Sequence, residues 1–489
     1  MQGFNFMDKF LNFVKKHKNH IALFCLSALL VFLFCNTSPL YKFNDMPDIA
    51  TWSAQAEMIL DGKIMYKDIY EHKGPLQLIP YVIAGIFPHS YDAMFVIEIV
   101  LFFVYAYFLY KIAELYDKKN ALPIACLSTV ITAANMCFAN TGTTEELFLW
   151  VFPCTIYLFL RRIKAGEFLT KKDSFIIGVL QALLLWSKYT LCTLTIGICL
   201  FMIYWHVKEK EDIKNQILYF FLGVLAVSAV VCIYFAVNGA LYDLFKVYFY
   251  NTIFVYDGGD DKIVILRHKI IAFVWYFFPV ITAFIIGKIS GKAKIDITRI
   301  DNMFLFITAS TMFLFLFTIN RIWAYYFLPS FTFSIFPVIL IFKAKNKLLQ
   351  VACTICVCMS ILISQNWNLE KLKVNQDEYL QFKIYDYINQ SGKHKILCLA
   401  GNSGFYYYTN STPFNKYFTY FNITFDELEK EVKDIEENQI ADFIIHYKEE
   451  DIPGYKLVIN GASPTFDVIV DKLKYGETVQ FYLYEKIED

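Results

Sequence analysis

The stretch "YKDIYEHKGPLQLIPYVIAGIFP", residues 66–88, decides how the whole chain threads. Asp68, Glu71, His72 and Lys73 stand directly against Gly74, Pro75 and an apolar run. A charged cluster at the edge of such a segment loses solvation unless it is paired or used. The run itself, residues 76–88, is 13 residues long with Pro80 inside it. A membrane-spanning helix needs about 20 residues to cross a hydrocarbon core of roughly 30 Å. Residues 76–88 are therefore expected to form an interfacial or re-entrant helix that does not cross. That expectation sets the side on which every later segment falls.

The surrounding sequence identifies the boundary as a bilayer. Of 489 residues, 57% are hydrophobic and only 18% charged, with a mean hydropathy of +0.42. Apolar runs recur at 21–35, 94–112, 121–139, 147–160, 174–187, 189–205, 216–237, 270–287, 302–319, 324–342 and 348–364. This pattern predicts an α-helical polytopic membrane protein. Basic and acidic residues balance at 45 each, so nothing points to nucleic acid. Eleven of the 12 cysteines lie in apolar runs, with only Cys398 in a polar region, which reads as small core residues and not as a disulfide framework. The early stretch "KKHKNHIALFCLSALLVFLFC" has the basic head of a secretion signal but no small-residue cleavage site, so Ile21–Cys35 is expected to stay as the first span.

Loop charge orients the threading. If residues 76–88 do not cross, the loops at 111–120, 161–172, 206–215, 288–299 and 343–347 share a side with the N-terminus and carry 18 Lys and Arg. The alternate loops, near 140–146, 188, 238–268 and 320–323, carry 5. Basic residues favour the cytoplasmic side. The expected topology has eleven spans in the cytoplasmic membrane, the N-terminus inside, and a first outer loop at 36–93. Residues 1–364 form the membrane domain in this division, and residues 365–489 lie outside. The 365–489 segment alternates helix-like pieces, "DEYLQFKIYDYINQ" and "FDELEKEVKDIEEN", with strand-like ones, "KILCLA", "DFIIHY" and "VQFYLYEK". Thr424 and Glu427 have the spacing of a capping box. A small extracytoplasmic α/β domain is expected.

Polar residues gather at the expected outer mouths. The first loop supplies Asp45, Asp48, Asp68, Glu71, His72 and Lys73. The turn "NTGTTEELF" supplies Glu145 and Glu146, "LLLWSKYTL" supplies Lys188, and "TINRIWAYYFLP" supplies Arg321, Tyr325 and Tyr326. Plainer readings stand beside each: Asp48 suits a helix N-cap, the cations suit membrane-surface anchors, and the acidic turn suits simple solvation. Carboxylates and cations at separate outer helix ends nonetheless fit one chemistry. Outside the cytoplasm no nucleotide sugar is at hand, so an activated sugar must arrive on a lipid such as a polyprenyl phosphate. Its phosphate calls for Lys or Arg at the headgroup plane, and an acceptor hydroxyl calls for a carboxylate base.

"DIATWSAQAEMILDGKIMYKDIYEHKGPL", residues 48–76, resembles the first outer loop of lipid-linked-sugar glycosyltransferases with the GT-C fold. Bacterial members of that group include relatives of the protein O-mannosyltransferases and of the lipid A aminoarabinose transferases. "GTTEELFLWVFP" is similar to their Thr-Glu-Glu turn, and "RIWAYYFLP" to their late arginine-to-tyrosine stretch. The resemblance implies that Asp48, fourteen residues before Gly62, is the catalytic acid, with Asp45 its competitor. It implies that Lys73 contacts the carrier phosphate. The chain departs from the pattern in having "DMPD" in place of a tight acid pair, and Ala324 where several relatives have His.

The expectation is an inverting sugar transfer from a polyprenyl phosphate donor to an extracytoplasmic glycan, lipid or protein, in a bacterial membrane. Asp48 or Asp45 is the base. Lys73, Arg321 and Lys188 bind the donor phosphate, and Glu145, Glu146, Glu71, His72, Tyr325 and Tyr326 bind sugar or acceptor. A monophosphate donor needs no metal with two cations present, whereas a diphosphate would bring a divalent ion. The alternatives are a non-catalytic transporter or flippase of lipid-linked glycan, and a polysaccharide polymerase or ligase.

Overall fold

The computed structural model describes residues 2–41, 46–87, 90–139, 141–209, 212–255, 262–291, 298–319, 322–344, 346–363, 368–369, 372, 375–400, 404–419, 426–464 and 478–488. Among them, six helices are long and apolar enough to cross a bilayer: Val14–Phe34, Asp92–Tyr116, Tyr189–Glu209, Lys214–Val237, Ile300–Thr318 and Ala324–Phe342. Lys262–Tyr276 and Phe278–Ile289 meet at a 58° bend and make a seventh if they are one span. The other expected runs carry the shorter helices Ala121–Ala133, Val151–Ala165, Lys171–Ser187 and Lys347–Ile363. The chain is a multi-pass membrane protein, and each expected run carries helix. Residues 75–84 form a 3-10 turn that continues into an α-helix. At 1.5 Å per residue this piece is about 15 Å long, half of what a crossing needs.

Contacts divide the chain into two compact units. The first comprises Met1–Leu40, Phe95–Val230 and Gly258–Leu369; the second comprises Tyr41–Met94, Val231–Asp257 and Glu370–Asp489. In the first unit the helices meet at small residues. A Cβ added to Gly178 would lie 2.0 Å from the Phe220 carbonyl oxygen, and one added to Gly223 would lie 2.2 Å from that of Phe175. Two backbones therefore touch, which is how helices pack where no hydrophobic drive separates them from lipid. Phe159 and Phe304 stack with centroids 4.9 Å apart, and Phe201 meets Phe304 edge-on. The Lys171–Ser187 helix opens with a capping box between Thr170 and Asp173. It ends where Lys188 takes an extended backbone (φ −159°, ψ 102°), the break expected between the 174–187 and 189–205 runs.

The second unit is built on a four-stranded mixed sheet. The strands are β1 (Ile396–Cys398), β2 (Phe443–His446), β3 (Tyr455–Pro464) and β4 (Thr478–Lys486), in the order β1-β2-β4-β3. β1 runs parallel to β2, while β4 is antiparallel to both β2 and β3. Side chains alternate across the sheet with period two. Ile396, Cys398, Phe443, Ile445, Phe481 and Leu483 form one apolar face with Ile384, Tyr385 and Ile388 of the Leu380–Ser391 helix. Leu397, Ile444 and Tyr484 form the other, against Ile435 of the Asp426–Glu437 helix. Thr424, half of the expected capping box, lies outside the described residues.

The segment Tyr41–Met94 belongs to this unit. Ala54 and Met58 of the Pro47–Leu60 helix, with Ile69, join the face made by Ile396 and Phe443. The apolar side of that segment thus packs into the core of the C-terminal sheet.

The glycine contact gives a direct test of the first unit. Gly178→Ala or Gly223→Ala forces a methyl into a carbonyl and is expected to destabilise by about 1–3 kcal/mol. A lower melting temperature of the purified, detergent-solubilised variant is the readout.

Candidate functional site

In the second unit the site grows from the Pro47–Leu60 helix. Pro47 opens it, Met46 is its N-cap, and Asp48 stands in the first turn. Asp48 is therefore not the cap that its position also suited. Its carboxylate is half-buried and makes no hydrogen bond or ion pair among the described residues. The helix N-terminus favours a negative charge there. One and two turns further along the same face come Trp52 and Gln55. Both donate to Glu71 Oε2, at 3.0 and 3.1 Å, and the Lys73 amide donates to Glu71 Oε1 at 2.9 Å. Glu71 is only 1% exposed. Its carboxylate is consumed in holding the loop to the helix.

That hold presents Lys73. Its Nζ lies 5.5 Å from the centroid of the Trp52 ring and 3.4 Å from His72 Nε2. Asp48 stands one turn before Trp52 on the same face of the helix. The preceding loop is stiff. Tyr66 is fully buried with a φ of 69°, a left-handed conformation that costs a bulky residue about 1–2 kcal/mol. Its hydroxyl donates to the Lys73 carbonyl at 2.6 Å, and its amide donates to the Ile69 carbonyl at 2.7 Å. Burial holds the Tyr66 phenol well above its ordinary ionisation range, so it remains a donor. Asp68 Oδ2 accepts from the Ile64 amide at 2.8 Å and closes the same turn. Asp45 lies outside the described residues.

The first unit holds a second polar group. Glu145 Oε1 and Lys188 Nζ pair at 2.5 Å, the carboxylate 2% and the lysine 11% exposed. The ammonium also faces the Tyr326 ring at 4.1 Å and the Tyr325 ring at 5.6 Å. Glu145 and Tyr326 line a cavity of about 30 Å³ together with Phe152, Leu191, Leu316 and Pro329, room for about one water. Glu146 turns elsewhere, accepting from the Gly142 amide at 3.3 Å. Burial and the neighbouring Glu98 carboxylate push its carboxyl well above the usual range. The structure thus separates the Glu145–Glu146 couple into two environments. Arg321 lies outside the described residues. No group of three His, Cys, Asp or Glu among the described residues is placed to hold a metal ion.

Sequence reasoning missed Lys269. It is 1% exposed within the Lys262–Tyr276 helix, and its Nζ has no hydrogen-bond partner among the described residues. The signal was present: "RHKIIAFVWYFFP" sets a lysine inside the apolar register, one residue past the loop whose charges were counted.

Comparison with known proteins identifies the fold. Residues 77–235 match the family model described as dolichyl-phosphate-mannose-protein mannosyltransferase, a match that starts just after the first-loop motif. No curated protein matches the sequence. The structure is similar to ArnT of Cupriavidus metallidurans bound to undecaprenyl phosphate, with a TM-score of 0.61 and 9% identity, covering 94% of this chain and 97% of that one. The apo form of ArnT gives a TM-score of 0.61 at 10% identity, covering 96% and 98%. The apo oligosaccharyltransferase of Archaeoglobus fulgidus gives 0.53 at 12% identity, covering 87% and 69%. The fold is the GT-C fold of membrane glycosyltransferases.

Two substitutions probe these groups. Glu71→Ala strips the acceptor from three donors and is expected to destabilise the protein by at least about 2 kcal/mol in thermal melts. Lys188→Met leaves Glu145 buried without a counter-charge, so adding Glu145→Gln should restore much of the lost stability. A double-mutant cycle of melting temperatures measures that coupling.

Proposed function

We propose that this chain is a glycosyltransferase that moves a sugar from a polyprenyl phosphate carrier to an acceptor hydroxyl outside the cytoplasm, inverting the anomeric carbon. The observation that carries the reading is one helical face on which an unpartnered carboxylate, Asp48, stands a turn from the indole beside Lys73. A base and a phosphate-binding cation on a rigid element are what this transfer needs. The matched family description names a dolichyl-phosphate donor, and ArnT was solved with undecaprenyl phosphate. Both are phosphorylated polyprenols, which supports the donor class.

In this mechanism Asp48 takes the proton of the acceptor hydroxyl, whose oxygen attacks the anomeric carbon from the face opposite the phosphate. The bond between that carbon and the phosphate oxygen breaks, and its electron pair leaves on the phosphate. Lys73 stabilises the growing charge in a position fixed beforehand by Glu71 and Tyr66, so little reorganisation is required. Glu71 is a positioning residue in this account. Asp45 is the alternative base. In the first unit, Lys188, Lys269 and Arg321 are assigned to anionic lipid phosphate, with Glu145 holding Lys188 ready. The N-terminus is placed in the cytoplasm, with residues 36–93 and 365–489 outside.

The experiment uses purified protein, labelled polyprenyl phosphate sugar and membrane extract as acceptor source. Wild type should transfer label and release free polyprenyl phosphate. Asp48→Asn should lower kcat by about 10²–10⁴-fold with little change in the KM for donor. Lys73→Met should weaken donor use, seen chiefly as a lower kcat/KM. Full activity in both Asp48→Asn and Asp45→Asn would rule the mechanism out.

A further inference from the structure

The loop that presents Lys73 is held from two sides. Three consecutive residues, Ile69, Tyr70 and Glu71, take different anchors. Ile69 lies in the apolar face shared with Ile396 and Phe443, and Glu71 turns back to the Pro47–Leu60 helix. Between them, the Tyr70 amide donates to the Lys416 carbonyl at 3.1 Å, while Gln55 Nε2 donates to the Tyr70 carbonyl at 3.4 Å. The Tyr70 and Tyr417 rings meet with centroids 5.3 Å apart. The backbone leading into Lys73 is therefore fixed by the helix on one side and by a turn at 415–417 on the other.

One carboxylate shapes that turn. Glu431 Oε1 accepts from the Lys416 amide at 3.0 Å, and Oε2 accepts from the Tyr417 amide at 2.8 Å and from Asn415 Nδ2 at 3.3 Å. Glu431 belongs to the Asp426–Glu437 helix, three residues after Leu428 and four before Ile435, both buried. That spacing puts all three on one face. Ile435 seats the face on Leu397, Ile444 and Tyr484 of the sheet. A carboxylate on a sheet-facing helix surface costs solvation, which three donors offset here, and bonds of backbone amides to a charged acceptor are strong ones. The chain of contacts runs from sheet to helix, from Glu431 to the 415–417 turn, and from the Lys416 carbonyl to the loop before Lys73. All of it lies within the second unit.

We propose that Glu431 is a positioning residue for Lys73, so that the C-terminal sheet is a working part of the transfer site. This rests on the role proposed above for Lys73. Glu431 touches no reacting group; it acts through the Tyr70 backbone, which sets where the ammonium stands relative to the departing phosphate. A shift of about 1 Å in such a group can cost about 10²-fold in rate.

The test compares Glu431→Ala, Glu431→Gln and Lys73→Met, alone and combined, in the purified full-length protein. With labelled polyprenyl phosphate sugar and membrane extract, Glu431→Ala should lower kcat/KM for the donor by about 10–100-fold, and by no more than Lys73→Met does. Glu431→Gln, which keeps one acceptor oxygen for the turn, should recover part of the loss. In the Lys73→Met background, Glu431→Ala should change kcat/KM by less than about twofold, because the residue it acts through is gone. A full further loss in that background means a merely structural role and overturns the proposal. Amide hydrogen exchange gives a readout without sugar transfer. The segment around Tyr70 should exchange faster in Glu431→Ala, while the Phe443–His446 strand keeps its wild-type protection. Unchanged exchange around Tyr70, or an equal rise in the strand, also overturns the proposal. If Glu431→Ala does not fold, Glu431→Gln carries both comparisons, with smaller changes of the same sign. Where Lys73→Met leaves too little activity to compare, exchange decides. If wild type transfers no sugar, the function proposed above fails, and exchange alone decides whether Glu431 positions the Lys73 loop.

Discussion

A buried carboxylate satisfied by neutral donors organises the second unit. Glu71 gathers the Trp52 indole, the Gln55 amide and the Lys73 backbone, and so ties a loop to a helix. Hydrogen bonds to a charged acceptor are among the stronger ones, and burial strengthens them further. The strained Tyr66 backbone is tolerated because its hydroxyl closes the same loop from the other end. Lys73 is thereby presented beside an indole, on the helix that carries Asp48. If Glu71 were free to move, the lysine would be a surface anchor like many others.

The first unit solves a different problem, that of charge within an apolar bundle. Glu145 and Lys188 neutralise each other and lean on aromatic faces. Asp173 does the same at another helix start, taking Arg161, Arg162 and the Thr170 cap. Among the described residues Lys269 has no such answer, and a buried amine without a partner is an expensive arrangement.

Much of the helical framework was legible because hydropathy is a local property: length and apolarity mark each run, and charge marks the breaks, as at Lys188. The short 76–88 segment was legible for the same reason. Side-chain fates were not. Glu71 and Lys73 lie two residues apart in one motif, yet one is consumed in the interior and the other presents its amine. Glu145 and Glu146 are adjacent, and one helical step sends them to different partners. Local sequence carries no record of those directions, which are set by packing. The docking of Ala54, Met58 and Ile69 on the C-terminal sheet was equally hidden, since a long-range contact leaves no periodic trace. Lys269 was missed because a cation at the rim of a run reads as loop charge.

The order β1-β2-β4-β3 has a consequence for synthesis. β4 lies in the middle of the sheet, yet it is the last of the four strands to be made. Until it inserts between β2 and β3, the greasy underside of the Pro47–Leu60 helix has only a partial floor, although that helix leaves the ribosome several hundred residues earlier. The nascent chain must therefore carry this loop unfinished through the insertion of nearly all its membrane helices. Closing so wide a gap in sequence is slow, because the contacts that reward it form only when the last strand is made.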